Sequence, residues 1–371
     1  MTEQKERAFL LGIDLNDGEN FERSMEELKS LAEACQMEVV GQMTQKLSRP
    51  HNALYMGRGK LGEVQDLLEQ EPADVLVFDR SLTPSQLRNL QNILDLPILD
   101  RTTLILEIFA RRAQTREARL QVEAARLQYV LPRLTGMHKA LSRQGGGSGL
   151  ANRGAGEKKL ELDRRRIEKR ISELNRELDK ISTERETQRR KRGRSGIPRV
   201  ALVGYTNAGK STLMNRMLET YMRDGSRKVL EKDMLFATLD TTVRRIQAGP
   251  ERVFLLSDTV GFIHQLPAGL VKAFRSTLDE ARGADLLLLV LDDSDEDCVR
   301  QKQVTEETIK ELGAGDIPVI YVYNKADLRL GEGELPRVRG DRIYMSAKSG
   351  AGIPELTDMI FQRLSEAGGA S

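Results

Sequence analysis

The sequence has no tryptophan, and aromatic residues make up only 4% of its 371 positions. It has two isolated cysteines, Cys35 and Cys298, too few for a disulfide framework or a cysteine-based zinc site. No apolar run reaches the roughly 18 residues of a membrane span. The start, MTEQKERAFL, lacks the basic-then-apolar profile of a secretory signal. These absences point to a cytoplasmic protein with no transmembrane segment and no structural metal. What the chain has in quantity is charge, 31% of all residues, over a length that accommodates two or three domains.

The most informative stretch is Gly204-Tyr205-Thr206-Asn207-Ala208-Gly209-Lys210-Ser211, followed by Thr212, which fits G-x-x-x-x-G-K-[ST]. The apolar run Val200-Ala201-Leu202-Val203 precedes it as a buried strand should. Behind it Leu213, Met214, Met217 and Leu218 recur at helical spacing. A strand–loop–helix of this kind curls main-chain N–H groups around phosphates and adds the positive end of a helix. Lys210 would bridge the β- and γ-phosphates, and the Ser211 hydroxyl would ligate Mg²⁺.

The net charge of +2 hides a segregation. Residues 1–110 carry a net −8, residues 111–194 a net +13 and residues 195–371 a net −3. A basic block between two acidic ones implies a polyanionic partner for the middle of the chain.

The first hundred residues alternate strands and helices. Strands are expected at Ala8–Ile13, Val39-Val40 and Val75–Phe78, and helices on the Phe21, Met25, Leu28, Ala32, Cys35 face and near 61–70 and 84–94. That is an α/β domain with a mostly parallel sheet. Gly57-Arg58-Gly59-Lys60 lacks phosphate-loop spacing and reads as a turn and helix cap, and His51, beside Pro50, as a loop residue. From about Thr102 to Leu131 the chain turns helical, and Pro132 is expected to end or kink that helix. Residues 133–156 hold Arg133, Lys139, Arg143 and Arg153 with no acid, and a run, Gly145 to Gly149, that is expected to be flexible. A second helix carries Leu160, Ile167, Ile171, Leu174, Leu178 and Ile181 on a heptad seam and ends at Arg189–Arg192, a length of roughly 50 Å. Two antiparallel helices with a basic tip make an arm, and the four tip cations are the candidate RNA contacts.

Past the phosphate loop, Phe236-Ala237-Thr238-Leu239-Asp240 stands where a nucleotide-sensing switch belongs, with Thr238 the candidate to reach Mg²⁺. Asp258-Thr259-Val260-Gly261 follows an apolar strand; its Asp suits a metal-bound water and its Gly lets an N–H approach the γ-phosphate. Strands at Leu286–Leu291 and Val319–Tyr323 lead to Asn324-Lys325-Ala326-Asp327, whose last carboxylate can accept from N1 and N2 of guanine. Ser346-Ala347-Lys348 would close on the base O6. In this order, each at a strand's C-terminal end, the motifs imply a P-loop GTPase domain with a doubly wound, mostly parallel sheet. Lys210, Thr238 and Gly261 are its expected catalytic residues. An ATPase built on the same loop is the alternative, against which Asp327 argues. The domains are then 1–105 (α/β), 106–193 (helical-hairpin arm) and 194–371 (GTPase).

The set resembles the HflX family of ribosome-associated GTPases over nearly the whole chain. The marks are Phe236–Asp240, Asp258–Phe262, the basic arm, Asn52–Lys60, Asp100-Arg101-Thr102 and Gly154–Glu157. The family usually has Pro where Ala155 stands and Thr-Gln where this chain has Lys158-Lys159. A further C-terminal domain, found in some members, is not expected here. The resemblance implies a monomer that takes GTP/GDP, binds the large ribosomal subunit with its arm against ribosomal RNA and, as some members do, splits stalled or idle 70S ribosomes. Mg²⁺ and K⁺ are the expected cofactors. In related cation-dependent GTPases the Asn207 position helps hold K⁺ against the phosphates; the alternative is that Asn207 only shapes the loop. Phe262 stands where many GTPases place a water-orienting Gln, with Ile263, His264 and Gln265 beyond it. Two other functions remain open on the residues: an RNA-remodelling ATPase with a second nucleotide site at Gly57–Lys60, and a GTP-gated coiled-coil scaffold.

Overall fold

The computed structural model describes residues 5–16, 20–143, 150–193, 196–221, 242–259, 261–262, 280–311 and 313–368. Of these, 135–143, 150–160, 185–193, 332 and 367–368 are described by their backbone alone. The chain divides into two units, Met1–Arg111 with Arg119–Asp179, and Arg112–Ala118 with Lys180–Ser371.

The first unit begins as an alternating α/β layer: β1 (Arg7–Asp14), α1 (Phe21–Ala34), β2 (Glu38–Lys46), α2 (Arg58–Gln70), β3 (Val75–Phe78), α3 (Pro84–Leu94), β4 (Ile98–Asp100) and α4 (Arg101–Arg112). All strands are parallel, in the order β2-β1-β3-β4. Leu10, Leu11, Leu76 and Val77 are fully buried, as the continuous apolar runs require. Helix starts follow local chemistry: Thr83 and Gln86 form a reciprocal capping box with Pro84 at the first turn. Gly57 caps α2 and Lys60 pairs with Glu63 at 2.7 Å, the geometry of a helix start. The His51 Nδ1 accepts from the Ala53 and Leu54 amides and closes a tight loop.

α4 belongs with this layer. Leu104, Ile105, Ile108 and Phe109 are buried, and Arg111 Nη1 donates to Cys35 O at 2.7 Å. The boundary expected at 105/106 falls inside this helix, and the first unit's α/β part runs on to Arg111.

Two long helices follow, α5 (Arg116–Arg143) and α6 (Leu150–Gly193). Pro132 does not end the first of them. An interior proline costs about 3 kcal/mol, and here the residues on either side hold the helix in place. Tyr129 Oη donates to Asp100 Oδ2, and Arg133 Nη2 donates to the same carboxylate at 2.6 Å and to Leu82 O at 3.0 Å. Arg133 also lies over the Tyr129 ring, 3.4 Å from its centroid. This corrects the reading of Arg133 as a tip cation, because its charge is committed to a buried carboxylate. Helix also covers 133–143 and 150–156, on either side of the run expected to be flexible, so α6 is about 66 Å long rather than 50. Lys139, Arg143 and Arg153 fall on this helical backbone, their side chains outside the described residues, as is Gly145–Gly149. Leu174 of the expected seam is fully buried. Arg170 of α6 grips Glu123 of α5 with Nε and Nη2 at 2.7 and 3.0 Å. These two residues are about equally far along the chain from 144–149, the register of a hairpin.

The second unit is a seven-stranded sheet, β10-β11-β9-β8-β5-β7-β6. Its strands are β5 (Arg199–Gly204), β6 (Thr242–Gln247), β7 (Val253–Asp258), β8 (Leu286–Asp292), β9 (Val319–Asn324), β10 (Arg337–Arg339) and β11 (Arg342–Tyr344). The five inner strands are parallel and the two edge strands antiparallel. Its longer described helices are α7 (Lys210–Tyr221), α8 (Cys298–Glu311) and α9 (Ile353–Gly368). Val200 and Leu202 of β5 face Met214 and Met217 of α7 and Leu356 and Ile360 of α9. Ala201 and Val203 face the other way, toward the side that α8 covers through Ile309. Both faces are covered, so the sheet is doubly wound, as expected.

In the first unit Asp79, just beyond β3, is buried and accepts from Tyr55 Oη. Burial outweighs that hydrogen bond and lifts its pKa from 3.8 to about 6. A raised carboxylate binds its proton more tightly in the folded state, so the stability it confers is lost as pH rises through the folded value. Wild-type stability should therefore fall relative to Asp79→Asn by roughly 2 kcal/mol between pH 4 and pH 6.5. Urea unfolding of both proteins across that range measures the difference, and parallel curves would refute it.

Candidate guanine-nucleotide site

Five strand ends of the second unit converge on one site, beginning with the turn out of β5. Gly204 has φ 146°, and a Cβ there would lie 2.2 Å from Val290 O of the neighbouring strand. Gly209 has φ 92°, and its Cβ would meet the Asn324 side-chain nitrogen at 2.2 Å. Only glycine fits either place. Asn207 between them takes the left-handed conformation at φ 60° and is exposed.

Lys210, the first residue of α7, is buried, and its Nζ donates to Gly204 O at 3.0 Å and Tyr205 O at 2.7 Å. Loss of water brings its pKa down to about 8, against a smaller raising effect of Asp258. Ser211 Oγ donates to Asp258 Oδ2 at 2.7 Å, where Asp258 ends β7 fully buried. A hydroxyl and a carboxylate are hard oxygen donors, the kind a small divalent cation takes. Thr259 Oγ1 donates to Leu202 O at 2.6 Å and fixes the strand end.

Gly261 then passes against the phosphate loop: a Cβ there would stand 2.8 Å from Thr206 Cα and 2.9 Å from Lys210 Nζ. Phe262 pairs with the loop as a strand would, its N–H donating to Gly204 O at 3.1 Å and its carbonyl accepting from Thr206 N at 2.7 Å. Its ring is buried among Ala201, Val203 and Ala281. The residue in the water-orienting position therefore packs in the core.

On the base side, Asn324 ends β9 and joins two loops. Its Nδ2 donates to Ala208 O at 2.9 Å and its Oδ1 accepts from Ala347 N at 2.8 Å. Lys325 Nζ donates to Asp292 Oδ2 at 2.8 Å. Asp327 opens the turn Asp327–Leu330 and is half-buried; Ser346 and Ala347 are buried, Lys348 exposed. Thr206, Ala208 and Thr212 lie in the same loop and helix start. Thus Gly204 to Thr212, Asp258, Gly261, Asn324 and Ala347 are brought together. Phe236, Ala237, Thr238, Leu239, Asp240 and Val260 lie outside the described residues, as do Ile263, His264 and Gln265.

Two participants were not foreseen. Asp292 ends β8 and pairs with Lys325; an acid closing an apolar strand was its signal. Arg216 of α7 donates through Nε to Ala347 O at 3.1 Å, a contact with no local signature.

Comparison with known proteins identifies this arrangement. A family model described as "GTP-binding GTPase N-terminal" matches residues 22–110, "GTP-binding GTPase Middle Region" matches 112–192, and "50S ribosome-binding GTPase" matches 199–325. GTPase HflX of Alkalihalophilus pseudofirmus is 45% identical over 360 residues, 97% of this chain and 83% of that protein. GTPase HflX of Escherichia coli K12 is 40% identical over 366 residues, again 97% and 83%. The chain belongs to the HflX GTPase family. The solved complex of SsGBP with GDP matches it with TM-score 0.53 and 26% identity, over 97% of this chain and 99% of that one. As an HflX GTPase the chain binds GTP and hydrolyses it. The order of motifs alone had already placed its phosphate loop.

A lysine with a folded pKa near 8 is partly neutral at that pH, and bound phosphates draw it back to the charged form. Nucleotide binding by this HflX GTPase should take up a substantial fraction of a proton through Lys210 at pH 8, whereas at pH 6.5 the terminal phosphate of GDP, with a second pKa of about 6, releases its own proton instead. Calorimetric titration with GDP in buffers of different ionisation enthalpy reads that uptake directly. No uptake at pH 8 would show that Lys210 is fully charged before nucleotide arrives.

Proposed function

We propose that this GTPase, with GTP bound, docks on the large ribosomal subunit, lays its helical arm against ribosomal RNA and separates the subunits of stalled or idle 70S ribosomes. The observation that carries the reading is the match of residues 199–325 to a 50S ribosome-binding GTPase, in a chain whose residues 111–194 hold a net charge of +13. The protein acts in the cytoplasm as a monomer. No described helix is long and apolar enough to cross a membrane.

In this reading guanine is held by Asp327 and by the Ser346–Lys348 loop, and the phosphates by Gly204–Thr212. Ser211 and Thr238 would hold Mg²⁺, with Asp258 behind Ser211, and the ion would supply charge neutralisation at the phosphates. Asn207 would help hold K⁺ at the phosphates. Lys210 leaves the loop carbonyls for the β- and γ-phosphates, and the Gly261 N–H meets the γ-phosphate. Asp327→Asn shifts the base preference toward xanthine, because an amide donates where the carboxylate accepted. Phe262, with its ring in the core, orders no water, so free hydrolysis is slow and depends on help.

Sucrose-gradient sedimentation with ribosomes tests the central claim: co-migration with 50S subunits and loss of 70S in a GTP analogue, and neither in GDP. Co-migration in both nucleotides, or in neither, would overturn it. Neutralising Lys139, Arg143 and Arg153 should weaken that binding and flatten the dependence of log affinity on log salt. Arg133→Ala, which removes a partner of Asp100 rather than a phosphate contact, should weaken binding without changing the slope. Turnover should be faster in K⁺ than in Na⁺, with the preference reduced in Asn207→Ala, and 50S subunits should accelerate it even at saturating K⁺. Rapid hydrolysis by the free protein in Na⁺ would show that another residue aligns the water.

A further inference from the structure

One side chain that belongs to no nucleotide-binding motif ties the loop at the base to the helix at the phosphates. Arg216 lies on α7, six positions after Lys210. Its Nε donates to Ala347 O at 3.1 Å and its Nη2 to Lys348 O, while Nη1 is steadied by Glu219 Oε2 at 3.1 Å. Gly350, at φ 90°, folds the end of the loop against it; a Cβ there would lie 3.4 Å from Arg216 Cδ.

The loop's other bonds divide into two sets. Some close it on itself: Ser346 N to Ala351 O at 3.1 Å and Gly350 N to Ser346 O at 2.9 Å. Asn324 Oδ1 holds the Ala347 N–H from the strand side at 2.8 Å. Arg216 takes the carbonyls of Ala347 and Lys348. In a trans peptide the carbonyl and the following N–H point in opposite directions. Fixing Ala347 O on Arg216 therefore aims the Lys348 N–H away from α7, toward a group on the far side of the loop.

We propose that Arg216 is a positioning residue for guanine recognition, holding the 346–348 main chain so that the Lys348 N–H meets the base O6. The inference rests on the reading of that loop as the O6 contact. A guanidinium suits the task because its donors form a rigid fork that spans two adjacent carbonyls, whereas a lysine ammonium holds one. Because α7 starts at Lys210 and Ser211, the same helix sets the distance between the phosphate grip and the base grip.

The test measures dissociation constants of the full chain for GDP, 6-thio-GDP and IDP. Thio-substitution alters O6 and leaves N1 and N2 intact; IDP keeps O6 and lacks the 2-amino group that Asp327 would read. Wild type should prefer GDP to both analogues. Arg216→Ala should weaken GDP about tenfold, the scale of one or two hydrogen bonds, and should weaken 6-thio-GDP much less. The GDP preference over 6-thio-GDP then shrinks while the preference over IDP stays. Arg216→Lys, which keeps the charge, should show the same pattern at smaller size. An equal loss for all three nucleotides in both variants, or no loss, would overturn the role of Arg216. Failure of wild type to distinguish GDP from 6-thio-GDP would instead remove the O6 reading of the loop.

Discussion

A buried ammonium sets the terms on which the nucleotide site is built. Lys210 has left water for a position enclosed by its own loop, and an unpaired charge there would cost many kcal/mol. Its hydrogen-bond partners among the loop's main-chain atoms are the carbonyls of Gly204 and Tyr205, which must therefore turn inward. Turning them needs a chain reversal close against β8, which only glycine at 204 allows. The approach of Gly261, whose missing Cβ would strike both Thr206 and Lys210, is a second consequence of the same closure. Phosphate loop and switch entrance are thus packed around one cation, which shares the site with Asp258.

This is why so much of the second unit was legible in the sequence. Phosphate chemistry fixes residues that are neighbours in the chain: two glycines, a lysine and a hydroxyl within eight positions. The strands announce themselves because both faces of the sheet are covered, so that Val200–Val203 and Leu286–Leu291 are apolar without alternation. Arg216 was not legible, because its partner lies 131 residues away and a helix arginine looks the same whether it binds solvent or a carbonyl. β4 was missed in the first unit for a related reason. Three residues carry too little pattern to separate a strand from a turn.

The first unit shows where reading charge by sign misleads. Arg133 counted as a cation in an acid-free stretch, yet its acid, Asp100, stands 33 residues earlier. Asp100 is a hub: it accepts from Leu82 N, Thr103 N, Tyr129 Oη and Arg133 Nη2. Next to it Arg101 pairs with Glu27 at 3.0 Å, and Thr102 Oγ1 meets Ser81 Oγ at 2.6 Å. The three residues Asp100-Arg101-Thr102 therefore fasten α5, α1 and the β3–α3 loop to the end of β4. The same fastening overrides Pro132, since a helix held by side chains on both sides of a proline does not need every main-chain bond. Through Tyr129 and Arg133, α5 is thus wired to the end of the sheet.

The exposed charge of α6 is a different matter. Arg164 pairs with Glu168, Arg165 with Glu161, and Arg170 with Glu123, with side chains that remain about half in water. Pairs this exposed are screened by water and contribute little, too little to explain a helix of 44 residues as a stability device. Their effect is to leave the helix soluble while its local charge stays close to balanced along 161–177. Beyond that span α6 carries a net +2 in residues 150–160 and a net +3 in residues 178–193. A long, nearly neutral shaft with positive charge concentrated beyond it suits an element that reaches a polyanion without adhering to it along the way. Within the proposed function this fits the buried Phe262. With Phe262 in the core and unable to orient water, the nucleotide is kept until a partner supplies the missing order, and the arm is what brings that partner close.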